Sequence, residues 1–215
     1  MRRLTFLTLV ASLSALPAFG HPHMSLDSRI AFELQGRTCN AIELEWVFDP
    51  VFSGTIIGQF DADRDGKFSA AENERVRAGA FSNLKNYGYF IFLRKGELRS
   101  SPASVEGFQA SQRGGRLVYR FRVSLAGKGY SDDFSVAIFD TSFYCAVRYP
   151  ESPASARSAS GGSASPQPRI EVAQNTKYPV YYNPAGAAND FRVYEKWEKG
   201  LATAYPEEIR VVFDR

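Results

Sequence analysis

Two stretches of alternating apolar and polar residues lie near the start of the chain, on either side of Gly36. The even positions from 24 to 34 are mostly apolar, as are those from 42 to 48, and charged residues stand between them. An alternation with a period of two is typical of a strand that buries one face. Because a glycine separates the two stretches, they predict an antiparallel hairpin.

Two helical patterns follow the predicted hairpin. Asp49 suits the N-cap of a helix and Pro50 its first position, and apolar residues then recur at helical spacing up to Phe60. The second pattern covers residues 70–86. A helix-loop-helix segment is therefore predicted at about residues 50–86, inserted between strands.

The loop between these helices has the pattern of a calcium-binding EF-hand. Such a loop has twelve residues, with oxygen ligands at defined positions and a glycine at position six. In loop order, the matching residues are Asp61, Asp63, Asp65, Gly66, Lys67 (through its main-chain carbonyl), Ser69 and Glu72. The pattern predicts a structural calcium site, and the alternative is an acidic surface loop between two helices.

Most of the remaining chain has the composition of β-strands. Aromatic and β-branched residues predict strands at 87–93, 117–125, 134–139, 143–149, 170–172 and 209–213, and a short helix is predicted at 190–199. The predicted fold class is α+β, a mainly antiparallel β domain with an inserted EF-hand-like helix-loop-helix.

A segment rich in Ser, Ala, Gly and Pro occupies residues 151–168. This composition buries little apolar surface and predicts a flexible linker. We therefore expect a β-rich metal-binding domain over residues 21–150. Residues 169–215 are expected to contribute strands and a helix that complete this domain.

The first twenty residues have the features of an export signal. Arg2 and Arg3 precede an apolar run, and Ala18-Phe19-Gly20 offers the small residues that signal peptidase requires. Cleavage after Gly20 would leave the protein in the periplasm. The run is shorter than the roughly 20 apolar residues that cross a membrane, so no direct membrane insertion is expected after cleavage. The formal net charge of +3, which includes both arginines, provides no electrostatic basis for binding nucleic acid.

The chain contains two cysteines, Cys39 and Cys145. An oxidising export compartment allows them to pair, so a disulfide is the favoured prediction. Two separately buried thiols are the alternative. A role as metal ligands is disfavoured because the usual CxxC spacing is absent.

The only two histidines, His21 and His23, would be the first and third residues after cleavage. The free α-amino group and the imidazole of His21 could then chelate one ion as a histidine brace, with His23 reaching the same ion. Imidazole binds zinc, copper, nickel and iron alike. Strand parity would place Asp27 on the same face as both histidines. The alternative is a solvated terminus whose histidines have no role.

Several segments resemble a family of exported bacterial proteins of poorly defined function: HPHMSLDSRIAFEL, ELEWVFDPVFS, DADRDGKFSAAE, NYGYFIF and FDTSFY. Members of that family are described as periplasmic components of an uncharacterised transport system linked to permeases for nickel, cobalt or zinc. The resemblance covers about residues 21–149 and ends near the Ser/Ala-rich segment. It implies that His21, His23 and Asp27 are transition-metal ligands, that Asp140 is a secondary candidate, and that the partner is an inner-membrane metal permease.

These features favour a non-enzymatic periplasmic accessory protein for zinc, nickel or cobalt transport that also carries a calcium-type loop. Two alternatives stay open. A histidine brace with free coordination positions could bind copper and activate oxygen, as in a copper-dependent oxidase or monooxygenase. The protein could instead be a calcium-stabilised binding module in which the histidines have no role.

Overall fold

The computed structural model describes residues 22–132, 134–187 and 190–214. The predicted export signal and His21 lie outside the described residues. The regular elements are β1 (Met24–Gln35), β2 (Thr38–Phe48), α1 (Pro50–Phe60), α2 (Ala70–Val76), β3 (Ile91–Lys95), β4 (Leu98–Ser100), β5 (Glu106–Arg113), β6 (Arg116–Ser124), β7 (Phe134–Ile138), β8 (Cys145–Arg148), β9 (Ala154–Ser158), β10 (Arg169–Gln174), β11 (Val180–Tyr182), β12 (Ala202–Ala204) and β13 (Glu207–Val212).

The first sheet contains the predicted hairpin. Its strands lie in the order β5-β6-β2-β1, paired antiparallel, and β8 and β9 run parallel to β1 along its remaining edge. The hairpin is confirmed, because β1 pairs with β2 and places Leu26 opposite Phe48. The even residues of β1 from Leu26 to Leu34 are all buried, since they face the core.

The second sheet has the order β10-β13-β7-β3-β4. Apolar residues from both sheets form one core, in which the ring of Phe32 on β1 meets the ring of Phe134 on β7 at 5.7 Å. A small separate sheet pairs β11 with β12. The architecture is mainly antiparallel β with few helices, consistent with the predicted α+β class. None of the helices in the described ranges is long and apolar enough to cross a membrane.

The first predicted helix is confirmed together with its N-cap. Asp49 Oδ1 accepts hydrogen bonds from the backbone N–H groups of Val51 and Phe52, at 2.9 and 3.0 Å. Its other oxygen accepts from the Ser25 N–H at 2.8 Å and so ties α1 to the start of β1. One carboxylate thus satisfies two free donors of the helix and one of the neighbouring strand.

The second helical segment is less regular than predicted. α2 ends at Val76, and a π-helical turn (Arg77–Phe81) and 3-10 turns (Ser82–Phe90) follow it. Gly88 and Tyr89 have φ values of 59° and 55°, and this left-handed backbone prevents a strand from starting at residue 87. β3 therefore begins at Ile91.

Two other predictions about the C-terminal half are corrected. The Ser/Ala-rich segment contains β9, which pairs with β1 from Ile30 to Leu34; backbone hydrogen bonds to an open strand edge need no large apolar side chains. Residues 190–199, predicted as a helix, form none. Phe191 and Trp197 are both about half exposed, so this stretch lacks the packed face that stabilises a short helix.

The structure also contradicts the predicted disulfide, because both cysteines are free and buried. Cys39 lies opposite Leu34 and Cys145 opposite Met24, at the two ends of β1. Ten residues of strand span roughly 33 Å, whereas a disulfide requires Cα atoms less than about 7 Å apart. Burial raises the pKa of the Cys39 thiol to about 12 and also raises that of Cys145, so both stay protonated.

Candidate metal sites

The acidic loop is held between two well-defined helix ends. Asp61 is the C-cap of α1, and its backbone N–H donates to the Ile57 carbonyl. Ser69 is the N-cap of α2 and forms a capping box with Glu72, in which each side chain accepts from the other residue's backbone N–H. The ends of the loop are therefore set by helix capping.

Three carboxylates meet inside this loop. Ligand atoms of Asp61, Asp63 and Asp65 all lie within 4.8 Å of one another, close enough to share one cation. Asp63 and Asp65 are exposed, whereas Asp61 is only 6% exposed. The three side chains therefore lie together, and their role as calcium ligands stays a prediction.

The two oxygens of Asp61 differ in their surroundings. Oδ2 accepts from the Gly66 N–H at 3.2 Å and from Gln112 Nε2 on β5 at 2.8 Å. Oδ1 is buried and has no hydrogen-bond partner among the described residues. Gly66 has a φ of 80°, which turns its N–H towards Asp61 and strongly favours glycine. Gln112 was missed by sequence reasoning, because it lies 51 residues away and on another element.

Short-range hydrogen bonds shape the exposed side of the loop. Asp63 Oδ1 accepts from the Asp65 N–H at 3.3 Å, and Asp65 Oδ1 accepts from the Lys67 N–H at 2.8 Å. Each is a contact between a side chain and the backbone two residues on, as in an Asx turn. Lys67 is exposed. The calcium ligand predicted at this position is its main-chain carbonyl, not its side chain.

Glu72 lies beside the carboxylate group without belonging to it. Its Oε1 accepts from the Ala62 N–H at 2.7 Å, and its Oε2 accepts from the backbone and hydroxyl of Ser69, at 2.9 and 2.8 Å. These bonds from Ser69 and Ala62 lower the pKa of Glu72, which is therefore ionised at neutral pH. In this arrangement Glu72 fastens the end of the loop to its beginning.

His23 and Asp27, two residues of the predicted terminal site, lie apart along the chain. His23 directly precedes β1, its backbone N–H donates to the Tyr144 carbonyl, and its ring lies 5.0 Å from that of Tyr144. Asp27 lies four residues further on, roughly 13 Å along an extended strand. It contacts Arg148 at 3.1 Å and Arg116 at 3.5 Å. Matching parity puts two residues on one face but does not bring them together.

Asp140 is buried in the turn before β8. One of its oxygens accepts from the backbone and hydroxyl of Ser142, at 2.9 and 2.8 Å, and the other accepts from the Cys145 N–H at 3.1 Å. Within the described ranges, the metal-ligating side chains that gather in a group of three or more are Asp61, Asp63 and Asp65. Asp140 therefore has a structural role here, and its role as a metal ligand stays a prediction.

Fold and loop define a two-sheet β protein with an acidic helix-loop-helix segment. The family described as "Protein of unknown function (DUF1007)" matches residues 6–213, and the chain belongs to this family. It is also similar to an uncharacterised 15.5 kDa protein in the trpE 3′ region of Spirochaeta aurantia, with 33% identity over 107 residues, 49% of this chain and 76% of that protein. No solved structure matches.

Proposed function

We propose that this protein is an exported, non-enzymatic accessory protein that binds divalent cations. It holds calcium in an EF-hand-like loop at residues 61–72 and a transition-metal ion at its processed N-terminus. The observation that carries the calcium assignment is the buried Oδ1 of Asp61, which has no hydrogen-bond partner in the described structure and lies in a group of three carboxylates.

A cation accounts for this arrangement better than an empty acidic loop does. A buried anionic oxygen without a donor is unfavourable, and three carboxylates within 4.8 Å repel one another. Calcium is a hard ion that takes six to eight oxygens, and it would relieve both costs. The Lys67 carbonyl would supply another ligand. Glu72 would complete the set by exchanging its hydrogen bond from Ala62 or Ser69 for the ion.

Calorimetric titration of the mature protein with calcium tests this proposal. We expect Asp61→Asn to weaken calcium binding at least tenfold, about 1.4 kcal/mol, because it removes the charge of the buried ligand. Glu74→Gln is the matched control, since Glu74 lies on the adjoining helix α2 and contacts Arg77. Its affinity should equal that of the parent. Equal affinities for parent and Asp61→Asn, or no binding by the parent, would overturn the assignment.

The transition-metal site is proposed from the sequence and the family resemblance. Its ligands would be the α-amino group and ring of His21 together with His23, and the ion would be zinc, nickel, cobalt or copper. Asp27 and Asp140 would join only by giving up their contacts with Arg148 and with Ser142 and Cys145. The proposed role is to exchange this ion with an inner-membrane metal permease from the periplasmic side.

One added residue distinguishes a terminal brace from a simple two-histidine site. We expect one Gly placed before His21 to weaken zinc or copper binding at least tenfold, about 1.4 kcal/mol, because the amine moves away from the imidazole. Competition against a chelator of known affinity measures the effect, and His23→Ala should be comparably weak. Tight binding by the extended protein but not by His23→Ala would refute the brace; tight binding by both would refute the site.

A further inference from the structure

A cavity of about 330 Å³ lies under the inner face of the first sheet. Its walls come from β1, β2 and β6, from α1 and the helical turns over residues 77–90, and from the turn before β8. Tyr87 and Phe191 line it and are themselves about half exposed, which places an opening beside them. The volume falls within the range of small-molecule pockets.

Two buried polar groups in this wall have no protein partner. Trp46 and Tyr119 face each other as a cross-strand pair of β2 and β6, and each is at least 98% buried. In the described part of the chain, neither the Trp46 Nε1–H nor the Tyr119 hydroxyl has a hydrogen-bond partner. Each such group costs roughly 1–3 kcal/mol when it is buried unsatisfied. Both residues also line the cavity.

The charge of the cavity wall restricts what can enter. No lysine, arginine or histidine lines the cavity among the described residues, and Asp140 is the ionisable carboxylate in its wall. Both Asp140 oxygens already accept protein hydrogen bonds. An anion would therefore lose its hydration without gaining a counter-charge. Most other lining residues are aromatic or aliphatic, which favours an uncharged apolar molecule.

We propose that this cavity binds a small, uncharged, mainly apolar molecule whose carbonyl-type oxygen accepts hydrogen bonds from Trp46 and Tyr119. The site is separate from the loop at residues 61–72 and requires no metal. Ordered water is the competing occupant, because it could satisfy both groups without any ligand.

Three ring compounds of similar size serve as probes in metal-free buffer. Acetophenone carries a carbonyl acceptor, ethylbenzene lacks it, and benzoate adds a negative charge. The readout is the Nε1–H resonance of Trp46 in ¹⁵N-labelled protein. Trp197 is an internal control, because it is exposed and its Nε1 donates to the Leu201 carbonyl. We expect saturable shifts of Trp46 but not of Trp197 with acetophenone, about five- to tenfold weaker binding of ethylbenzene, and no binding of benzoate.

Tyr119→Phe removes one donor and keeps the shape of the ring. It should lower acetophenone affinity about fivefold and leave ethylbenzene affinity unchanged. If acetophenone and ethylbenzene bind equally in the parent, or if neither moves the Trp46 resonance, the two donors serve water only and the proposal fails. The comparison of probes in the parent decides the question even if Tyr119→Phe does not fold.

Discussion

We expect Glu208→Gln to lower the free energy of unfolding by about 3 kcal/mol, because it removes one partner of a buried ion pair. Glu208 on β13 is 3% exposed, and its carboxylate accepts from Arg94 Nη2 at 2.6 Å, from Ser135 Oγ at 2.9 Å and from Asn175 Nδ2 at 2.9 Å. These contacts join three parts of the second sheet. A glutamine amide would place donors where two protein donors already point.

Urea unfolding of parent, Glu208→Gln and Glu207→Gln measures this effect. Glu207 is the matched control, because it precedes Glu208 on the same strand and is exposed. Its replacement should change stability by less than about 0.5 kcal/mol. A loss below about 1 kcal/mol in Glu208→Gln would show that the buried carboxylate contributes little net stability.

The same carboxylate gives stability a defined dependence on pH. Burial alone would raise the pKa of Glu208, but the hydrogen bonds from Arg94, Asn175 and Ser135 hold it below its ordinary value. A group with a lowered pKa stabilises the fold above its unfolded pKa and loses this contribution as the pH falls through the folded value. The parent should therefore lose more stability than Glu208→Gln between neutral and acidic pH.

Features that depend on neighbouring residues could be predicted from the sequence. The β1–β2 hairpin follows from alternation around Gly36, and α1 begins where Asp49 can cap it. The positions of Asp61, Asp63 and Asp65 within one turn-rich loop were predictable for the same reason. In each case the information lies within about a dozen residues.

Features that depend on distant contacts could not be predicted. The distance between Cys39 and Cys145 in the fold depends on which end of β1 each of them lies beside. The sequence numbers of two cysteines do not reveal this pairing of strands. The pairing of β9 with β1 depends on an edge that only the folded sheet offers. Gln112 donates a hydrogen bond to Asp61 although 51 residues separate the two along the chain. The Trp46–Tyr119 pair is another product of strand register, so the cavity has no signature in the sequence.

Calcium should stabilise the folded protein strongly if residues 61–72 hold it. At a free calcium concentration of a hundred times Kd, linkage contributes about 2.7 kcal/mol. For a domain of this size that corresponds to a rise of roughly 5–10 °C in Tm. Glu72→Gln should lose most of this rise, because it removes the bidentate carboxylate of loop position twelve. Each variant is compared with its own calcium-free Tm, since Glu72 also contributes hydrogen bonds from Ala62 and Ser69 without the ion.

Calcium binding at residues 61–72 is tested most directly by the Tm of the mature protein with a chelator and with calcium, for parent, Glu72→Gln and Glu74→Gln. We expect a rise of roughly 5–10 °C in the parent. We expect the same rise in Glu74→Gln, whose side chain pairs with Arg77 outside the loop, and little or none in Glu72→Gln. A parent whose Tm does not respond to calcium, or a Glu72→Gln variant that responds as the parent does, would contradict calcium binding by this loop.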